Sequence, residues 1–266
     1  MVFSYGRPRL SSSSASNKAY RASSTSTAAS SNPNIYIEER DVSRYTDHTY
    51  KIRFYDERIH TVVTHRASVV DNWISKIYKD FKNKLNKLVV GLDCEWMADF
   101  YNKEAEFDEK GKKIQNKVAV LQLCVAHSCL IFQFMWSDNI PSSLREFLNN
   151  EKFIFVGVGV YEDGYKLSKD YGLKVAKTVD LRKLAAEKFK RKELKEAGLH
   201  GLADTVLLQD LPKPRNVTLS KWDACFLTDE QIQYACLDAF VSFKLGDVLR
   251  KGFTGNLEHL FEYHRD

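Results

Sequence analysis

The stretch "VVGLDCEWMADF" (Val89–Phe100) combines the pattern of a buried β-strand with an acidic end. Its first residues are apolar, which predicts a strand that is enclosed on both faces. Asp93 and Glu95 stand two residues apart, so in an extended strand both side chains point to the same face. Two like charges on a core strand are costly unless a cation neutralises them. The pattern therefore predicts a site for Mg²⁺ or Mn²⁺, which prefer oxygen ligands, or a strand that ends at Leu92 with both acids in solvent.

The segments around this strand predict an α/β domain with a mixed β-sheet flanked by α-helices. The residues of "TYKIRFYDERIHTVVT" (Thr49–Thr64) alternate between apolar and polar on both sides of a polar turn, which is typical of a β-hairpin. Val118–Ala126 and Cys129–Phe134 are separated by two residues and predict a second hairpin. Phe153–Val160 is a further apolar strand with two glycines. Hairpins followed by strand–helix alternation indicate a sheet with both parallel and antiparallel pairs.

Helix start and stop signals mark the remaining elements. We expect Ser68 to cap an amphipathic helix, Pro141 to open a short one, and Gly172 to end the helix that follows the glycine-containing strand. Thr228 and Gln231 form a capping-box pattern at the start of the last long helix.

Composition places the chain among ordinary globular proteins and excludes several classes. The 266 residues are 44% hydrophobic and 28% charged. The sequence has no run of about 18 apolar residues, so we expect no membrane-spanning helix. The five cysteines contain no CxxC pair, which predicts neither a zinc site nor a disulfide framework and indicates a reducing compartment.

Residues 1–34 form a basic, serine-rich tail that we expect to be disordered. Of the net charge of +5, residues 1–37 carry +4, so the overall charge is weak support for nucleic-acid binding. The composition also fits an organelle transit peptide, but a regular arginine-and-apolar pattern is missing, which favours a disordered tail. We expect folded structure from Ile35 onward, and a location in the nucleus or cytoplasm, with organelle targeting by the tail left open.

Two later segments carry acids that could join the first pair. Asp163 follows the strand Phe153–Val160, and ligands of open α/β sheets gather at the carboxyl ends of the strands. Tyr234 and Asp238 lie four residues apart on the last helix, so they share one face. Each feature also has a simpler explanation: an acid at a helix start that favours the helix dipole, and a core tyrosine above a surface acid.

Together the pattern D-x-E, a later D and Y-x-x-x-D resembles the DEDD superfamily of 3′–5′ exonucleases, in its tyrosine subclass. The matching stretches are "VVGLDCEW", "VAVLQLC", "FVGVGVYEDGYKLSKDYGL", "GLADTVL" and "LSKWDACFLTDEQIQYACLDAF". Within the superfamily the chain is most similar to the Werner syndrome-like exonuclease domain, and its front end resembles the plant members. Gln233 stands where the histidine subclass has its histidine, and Tyr234 stands where the tyrosine subclass has its tyrosine. The resemblance implies a ribonuclease H-like fold, with an exonuclease domain over residues 35–266 and a core from about 88 to 253.

The resemblance also implies hydrolysis at the 3′ end of a nucleic acid by two Mg²⁺ or Mn²⁺ ions, with release of nucleoside monophosphates. Asp93 would bridge the ions, Glu95 and Asp238 would complete one ion's site, Asp163 would hold the other, and Tyr234 would orient the attacking water. Trp96 is a candidate for stacking on a base, with core packing as the other interpretation. We expect DNA as the substrate, with RNA trimming of the ribonuclease D type and an inactive nucleic-acid-binding module as alternatives. The sequence has no Walker motif, so any helicase would be a separate partner.

Overall fold

An eight-stranded mixed β-sheet is the centre of the computed structural model, which describes residues 32–42, 48–86, 88–97 and 116–251. The strand order is β1-β2-β3-β6-β5-β4-β7-β8. The pairs β3–β6, β4–β7 and β7–β8 are parallel, and the others are antiparallel. The strands are β1 (Ile35–Val42), β2 (His48–Phe54), β3 (Glu57–Thr64), β4 (Val89–Trp96), β5 (Val118–Val125), β6 (Ser128–Gln133), β7 (Ile154–Gly157) and β8 (Thr178–Asp180).

Helices cover both faces of the sheet and enclose two apolar layers. The face that carries Val90, Leu92 and Cys94 packs against α1, α2 and α3, and the opposite face packs against α4 and α7. The period-two alternation of the strands sorts their side chains between these layers. The helices are α1 (Ala67–Asp80), α2 (Ser142–Leu148), α3 (Val160–Tyr171), α4 (Leu181–Phe189), α5 (Leu199–Leu202), α6 (Arg215–Thr218) and α7 (Asp229–Lys251).

The predicted α/β class, both hairpins and the strand after Leu88 are confirmed. The capping box of α7 is also confirmed, because the Thr228 backbone N–H donates to Gln231 Oε1 at 2.9 Å and the Gln231 N–H donates to Thr228 Oγ1 at 3.3 Å. Ser68 as the cap of α1 is wrong. The helix begins at Ala67, whose backbone N–H is satisfied by the distant Asp138 carboxylate at 2.9 Å.

The cysteines differ from the prediction in one place. Cys124 and Cys129 form a disulfide across the β5–β6 ladder. They are directly opposite each other in the register, with Cα atoms 4.2 Å apart, so the hairpin itself brings the two thiols together. Within the described residues, the three other cysteines are free.

Two glycines allow α7 to lie directly on the sheet. A Cβ atom on Gly91 of β4 would lie 2.0 Å from the Ala239 carbonyl oxygen, and one on Gly246 of α7 would lie 2.7 Å from Val156 of β7. Only residues without a side chain permit this approach. The contact fixes the position of α7 relative to the carboxyl ends of β4 and β7.

The described part of the chain contains no helix that combines the length and apolar character needed to cross a membrane. The predicted tail falls almost entirely on residues 1–31, which lie outside the described residues. The last residues of the predicted domain, 252–266, lie outside them as well.

Candidate active site

Asp93 and Glu95 lie at the carboxyl end of β4, on the face that meets α7. Strand pairing with β5 continues through both residues, so the strand does not end at Leu92. Asp93 is half-buried and Glu95 is buried, with 8% exposed. The alternative of two solvated acids beyond the end of a strand is therefore wrong.

Helix α7 brings Asp238 to this pair. Asp238 precedes Ala239, whose carbonyl lies against Gly91 two residues before Asp93. One carboxylate oxygen from each of Asp93, Glu95 and Asp238 lies within 4.8 Å of the others. The bare glycine on β4 thus determines how closely the third carboxylate approaches the first two.

Asp163 approaches the group from the first turn of α3, the helix that follows β7, the neighbour of β4. Strand β7 runs parallel to β4, and α3 begins three residues after β7 ends, so the first turn of α3 lies at the same edge of the sheet. Asp163 is buried, and its charge contributes to the raised pKa of both Asp93 and Glu95. It lies outside the set of three whose oxygen atoms are within 4.8 Å of one another. The four acids predicted from the sequence converge, with Asp163 set slightly apart.

Burial raises the pKa of every acid in this cluster, and repulsion by the other acids adds to the effect at Asp93 and Glu95. Burial and the charges of Asp238, Asp163 and Glu95 raise the pKa of Asp93 well above its ordinary value. Burial raises the pKa of Asp163 to about 8, with a contribution from Glu162. Burial raises the pKa of Asp238 to about 7, although a hydrogen bond from Tyr234 and the charge of Lys213 lower it. Without a metal the cluster therefore retains protons at neutral pH, and a bound cation would stabilise the ionised acids and take the place of those protons.

Tyr234 lies one turn before Asp238 on α7 and donates its hydroxyl hydrogen to that carboxylate. Burial, followed by the charges of Asp238, Glu95 and Asp93, raises the pKa of the phenol far above its ordinary value. The hydroxyl is consequently a hydrogen-bond donor, not a base. The ring packs 6.1 Å from the ring of Trp222, whose own N–H donates to the Thr218 carbonyl at 3.3 Å.

Trp96 is half-buried and packs against the apolar layer on the face away from α7. The ammonium of Lys166 lies 5.9 Å from its ring centre, and Lys166 is in turn paired with the buried Asp170 at 2.9 Å. A base contact by Trp96 stays a prediction.

Two residues near the acids were not predicted from the sequence. Lys213 is exposed in the loop before α6, and its charge lowers the pKa of Glu95 and Asp238. A lysine in a proline-containing loop has no local signal of such a role. Gln122 of β5 is fully buried and lies directly opposite Asp93. Its signal was present, because it is the single polar residue of the apolar strand "VAVLQLCV".

The chemistry of these donors fits a divalent cation. Within the described residues, the carboxylates of Asp93, Glu95 and Asp238 form a set that could hold a metal ion. The set is composed of oxygen ligands and includes no cysteine or histidine, which suits Mg²⁺ and Mn²⁺ better than zinc. The repulsion that helps to raise the pKa of Asp93 and Glu95 is the interaction that a bound cation would reverse.

A mixed sheet with clustered carboxylates at the carboxyl ends of its central strands is an arrangement of the ribonuclease H-like fold. Ribonuclease D of Escherichia coli shares this fold, with a TM-score of 0.55 and 14% identity over 71% of this chain and 44% of that one. A family model described as 3′–5′ exonuclease matches residues 69–253. The chain belongs to the 3′–5′ exonuclease family, as the sequence motifs predicted.

Curated relatives extend this comparison to named proteins. A 3′–5′ exonuclease of Arabidopsis thaliana is 34% identical over 69% of this chain and 61% of its own length. The bifunctional 3′–5′ exonuclease/ATP-dependent helicase WRN of Mus musculus is 34% identical over 60% of this chain and 11% of its own length. The chain thus spans less than two thirds of the length of either relative.

Proposed function

We propose that this protein is a Mg²⁺- or Mn²⁺-dependent 3′–5′ exonuclease that removes nucleoside monophosphates from the 3′ end of DNA. The observation that carries the proposal is the convergence of Asp93, Glu95 and Asp238 within 4.8 Å, with Asp163 and Tyr234 beside them, in a chain of the exonuclease family. All five residues of the tyrosine-subclass pattern are present, which argues against an inactive binding module.

Each residue of the site has a task that its position allows. Asp93, Glu95 and Asp238 would hold the cations, with Asp163 contributing from the far side of β4. When bound, divalent ions supply charge neutralisation, activation of water and stabilisation of the leaving oxygen. Tyr234 keeps its proton and orients a water molecule by its hydroxyl, which is also hydrogen-bonded to Asp238. Lys213 adds positive charge beside the acids, where an anionic phosphodiester would enter.

DNA is the proposed substrate because the sequence motifs resemble the Werner syndrome-like exonuclease domain. The plant and mouse relatives are named 3′–5′ exonucleases, and one of them is joined to a helicase. The similarity to ribonuclease D concerns the fold alone and favours neither nucleic acid. The acids act on the phosphate, so the choice between DNA and RNA depends on contacts with the 2′-hydroxyl.

A panel of matched, 5′-labelled DNA and RNA strands, single-stranded or with a recessed 3′ end, tests the proposal. With Mg²⁺ or Mn²⁺ we expect a ladder of products shortened from the 3′ end of DNA, and no products with EDTA. Cleavage of RNA without cleavage of DNA would contradict the assignment of DNA as the substrate. Cleavage that survives in Asp93→Ala and in Asp238→Ala would overturn the site.

We also propose that the protein acts in the nucleus or cytoplasm, and that any helicase it works with is a separate partner. The name of the mouse relative, which joins an exonuclease to a helicase, supports such coupling. Microscopy of the full chain and of a chain without residues 1–31 tests the location, since a shift of signal into or out of an organelle would identify the tail as a targeting segment.

A further inference from the structure

Gln122 is the most unusual polar side chain outside the acids. It lies in β5 and is fully buried at 0% exposure, and neither its amide nitrogen nor its amide oxygen has a hydrogen-bond partner among the residues that the structure describes. Burying an amide without partners carries the full desolvation penalty of both atoms. A leucine or methionine would fill the same space in this apolar strand without that penalty.

The register of the sheet places Gln122 next to the acid cluster. It is directly opposite Asp93 on β4 and opposite Ile131 on β6. Its strand neighbours on the same face, Val120 and Cys124, belong to the layer under α7, which is also the face of Asp93. Side chains directly opposite each other in an antiparallel pair have Cβ atoms about 4.5–5.5 Å apart. The amide of Gln122 is therefore within reach of the Asp93 carboxylate through a change of side-chain rotamer.

Nearby polar groups on this face are already engaged. Cys236 of α7 accepts from Thr61 Oγ1 at 3.0 Å. The second glutamine of the layer, Gln133, donates its amide to the carbonyl oxygens of Ala224 at 3.0 Å and Cys225 at 3.4 Å. Asp93 remains as the polar side chain directly across the strand from Gln122, and it is the acid on which the charges of the other three act.

We propose that Gln122 is a positioning residue for the metal site: when the cation is bound, its amide N–H donates to a carboxylate oxygen of Asp93 and fixes that carboxylate in the orientation that binds the cation. Carboxylates that bind metals are commonly held by a hydrogen bond from a neighbouring side chain, and loss of such a bond weakens metal affinity by about 10–100-fold. Gln122 is buried, so it touches neither solvent nor substrate. The inference rests on the proposed function, because it assigns Gln122 to the same metal site.

Gln122→Met tests the inference, since methionine matches the shape of glutamine and removes both polar atoms. Calorimetric titration of the full chain with Mn²⁺, without nucleic acid, should show binding about 10–100-fold weaker than in the wild type. The midpoint of thermal unfolding without metal should stay the same or rise, because the unpartnered amide is gone. With DNA, kcat should fall while KM stays unchanged.

Gln133→Met is the matched control, as it makes the same substitution in the same layer. It breaks two hydrogen bonds to the loop before α7, so unfolding should occur at a lower temperature. Its Mn²⁺ affinity should equal that of the wild type. A Gln122→Met protein that binds Mn²⁺ as tightly as Gln133→Met overturns the inference, whatever its unfolding temperature.

A measurement on the wild type decides the matter if Gln122→Met fails to fold. In ¹⁵N-labelled protein assigned by triple-resonance experiments, titration with Mg²⁺ should shift the side-chain amide signals of Gln122 and slow their hydrogen exchange, and leave those of Gln133 in place. Unchanged Gln122 signals with metal bound overturn the inference. A wild type that binds Mn²⁺ without hydrolysing DNA or RNA contradicts the proposed function and leaves the role of Gln122 standing, whereas a wild type that binds no metal overturns both.

Discussion

At the scale of single residues, the site is a set of charges that the fold holds together against their repulsion. Asp238 is an example, because burial raises its pKa to about 7 even though Tyr234 and Lys213 lower it. An ordinary aspartate titrates near 3.9. The same burial that disfavours the ionised acids in the absence of a cation makes the ionised site attractive to a cation.

Asp238→Asn should separate these two effects. The substitution keeps the shape of the side chain and removes one of the charges. We expect the rate of hydrolysis to fall by at least about a thousandfold, as several kcal/mol of transition-state stabilisation are lost with the metal. At pH 8 without metal, we expect the free energy of unfolding to rise by about 2–4 kcal/mol, because a buried charge disappears. Denaturant unfolding and a DNA cleavage assay measure the two quantities.

Asp247→Asn on the same helix is the control for this substitution. Asp247 pairs with Lys251 at 2.7 Å near the surface, one turn apart, so the change should alter stability by no more than about 0.5 kcal/mol and leave activity intact. An Asp238→Asn protein that is less stable than the wild type in the absence of metal would contradict the electrostatic account.

Tyr234→Phe removes only the hydroxyl that donates to Asp238. The ring should keep its packing against Trp222, so the unfolding temperature should change little. We expect kcat to fall by about a hundredfold, which is typical for loss of one oriented hydrogen-bond donor. KM for DNA should stay within about twofold of the wild type. A Tyr234→Phe enzyme with full kcat would show that the hydroxyl has no part in the reaction.

The sequence was sufficient for those site residues that follow a backbone period. Asp93 and Glu95 share a face because strands repeat every two residues, and Tyr234 and Asp238 share one because helices place residues four apart side by side. Gln122 and Lys213 were not predicted. The role of Gln122 depends on the register between two strands, and that of Lys213 depends on the path of a loop. Neither is a local property of the sequence, and a single polar residue in an apolar strand has several explanations.

At the scale of elements, the decisive contact is between α7 and β4. Helix α7 carries Asp238 and Tyr234, and the strand carries Asp93 and Glu95. Their separation is set at Gly91, where the backbone of α7 at Ala239 and Phe243 occupies the space of a side chain. The site is therefore assembled by helix–strand packing and not by a loop.

Gly91→Ala should disrupt the fold and the site together. A Cβ atom at this position would lie 2.0 Å from the Ala239 carbonyl oxygen and 2.6 Å from the Phe243 nitrogen, so α7 would have to move away from β4. We expect a loss of about 3 kcal/mol or more in the free energy of unfolding, because backbone cannot yield as a side-chain tip can. Mn²⁺ affinity should fall as Asp238 moves from Asp93.

Gly201→Ala in α5 serves as the comparison for this loss. An added Cβ there would meet only the Ala197 side chain, at an ordinary 3.7 Å. Both stability and metal affinity should be retained or slightly improved, since alanine favours a helix. If Gly91→Ala unfolds and binds Mn²⁺ like Gly201→Ala, the close approach of α7 is not what assembles the site.

Elements defined by local patterns were predictable, whereas their pairing over long distances was not. The two hairpins and the long last helix follow from alternation and capping signals. The parallel pair β3–β6 joins the front hairpin to the central strands and has no signature in either segment. Strand β1 was not singled out, because its sequence "IYIEERDV" alternates only at its start. The Cys124–Cys129 pair was not predictable from the expected hairpin, because a turn at residues 127–128 would not place these two cysteines opposite each other, whereas the observed register does.

At the scale of the whole molecule, acids that are paired with basic side chains differ from the cluster acids in the direction of their pKa shift. Glu57 and Asp180 are two such paired acids. Partial burial raises the pKa of both acids, but their hydrogen bonds lower it further than burial raises it. Glu57 accepts from Lys244 and His127, and Asp180 accepts from Arg182, so the pKa of each acid is below its ordinary value. These pairs stabilise the fold above the ordinary carboxyl pKa, near pH 4, and that contribution is lost only as the pH falls through the lower folded value. Above pH 5 we therefore expect the central cluster to determine how the stability of the fold changes with pH.

Stability without metal should decrease as the pH rises from about 5 to 8 and beyond. In this window the unfolded chain has already released the protons of Asp163 and Asp238, while the folded protein, with pKa values of about 8 and 7, still holds them. The folded state binds more protons than the unfolded state, so the free energy of unfolding decreases with pH.

A cation replaces these protons. Mn²⁺ at about a hundredfold above its Kd should therefore add about 2.7 kcal/mol to the free energy of unfolding, with tighter binding at higher pH. Thermal unfolding from pH 5 to 9, with and without Mn²⁺, measures both trends. The double variant Asp93→Asn/Asp238→Asn should lose most of the response to metal and the share of the pH dependence that these two acids contribute. Asp163 should keep its own share, because burial and Glu162 raise its pKa. The opposite result is a wild type whose metal-free stability is constant or increases with pH across this window. It would show that ionising the clustered acids does not destabilise the folded state, and that a cation has no such cost to remove.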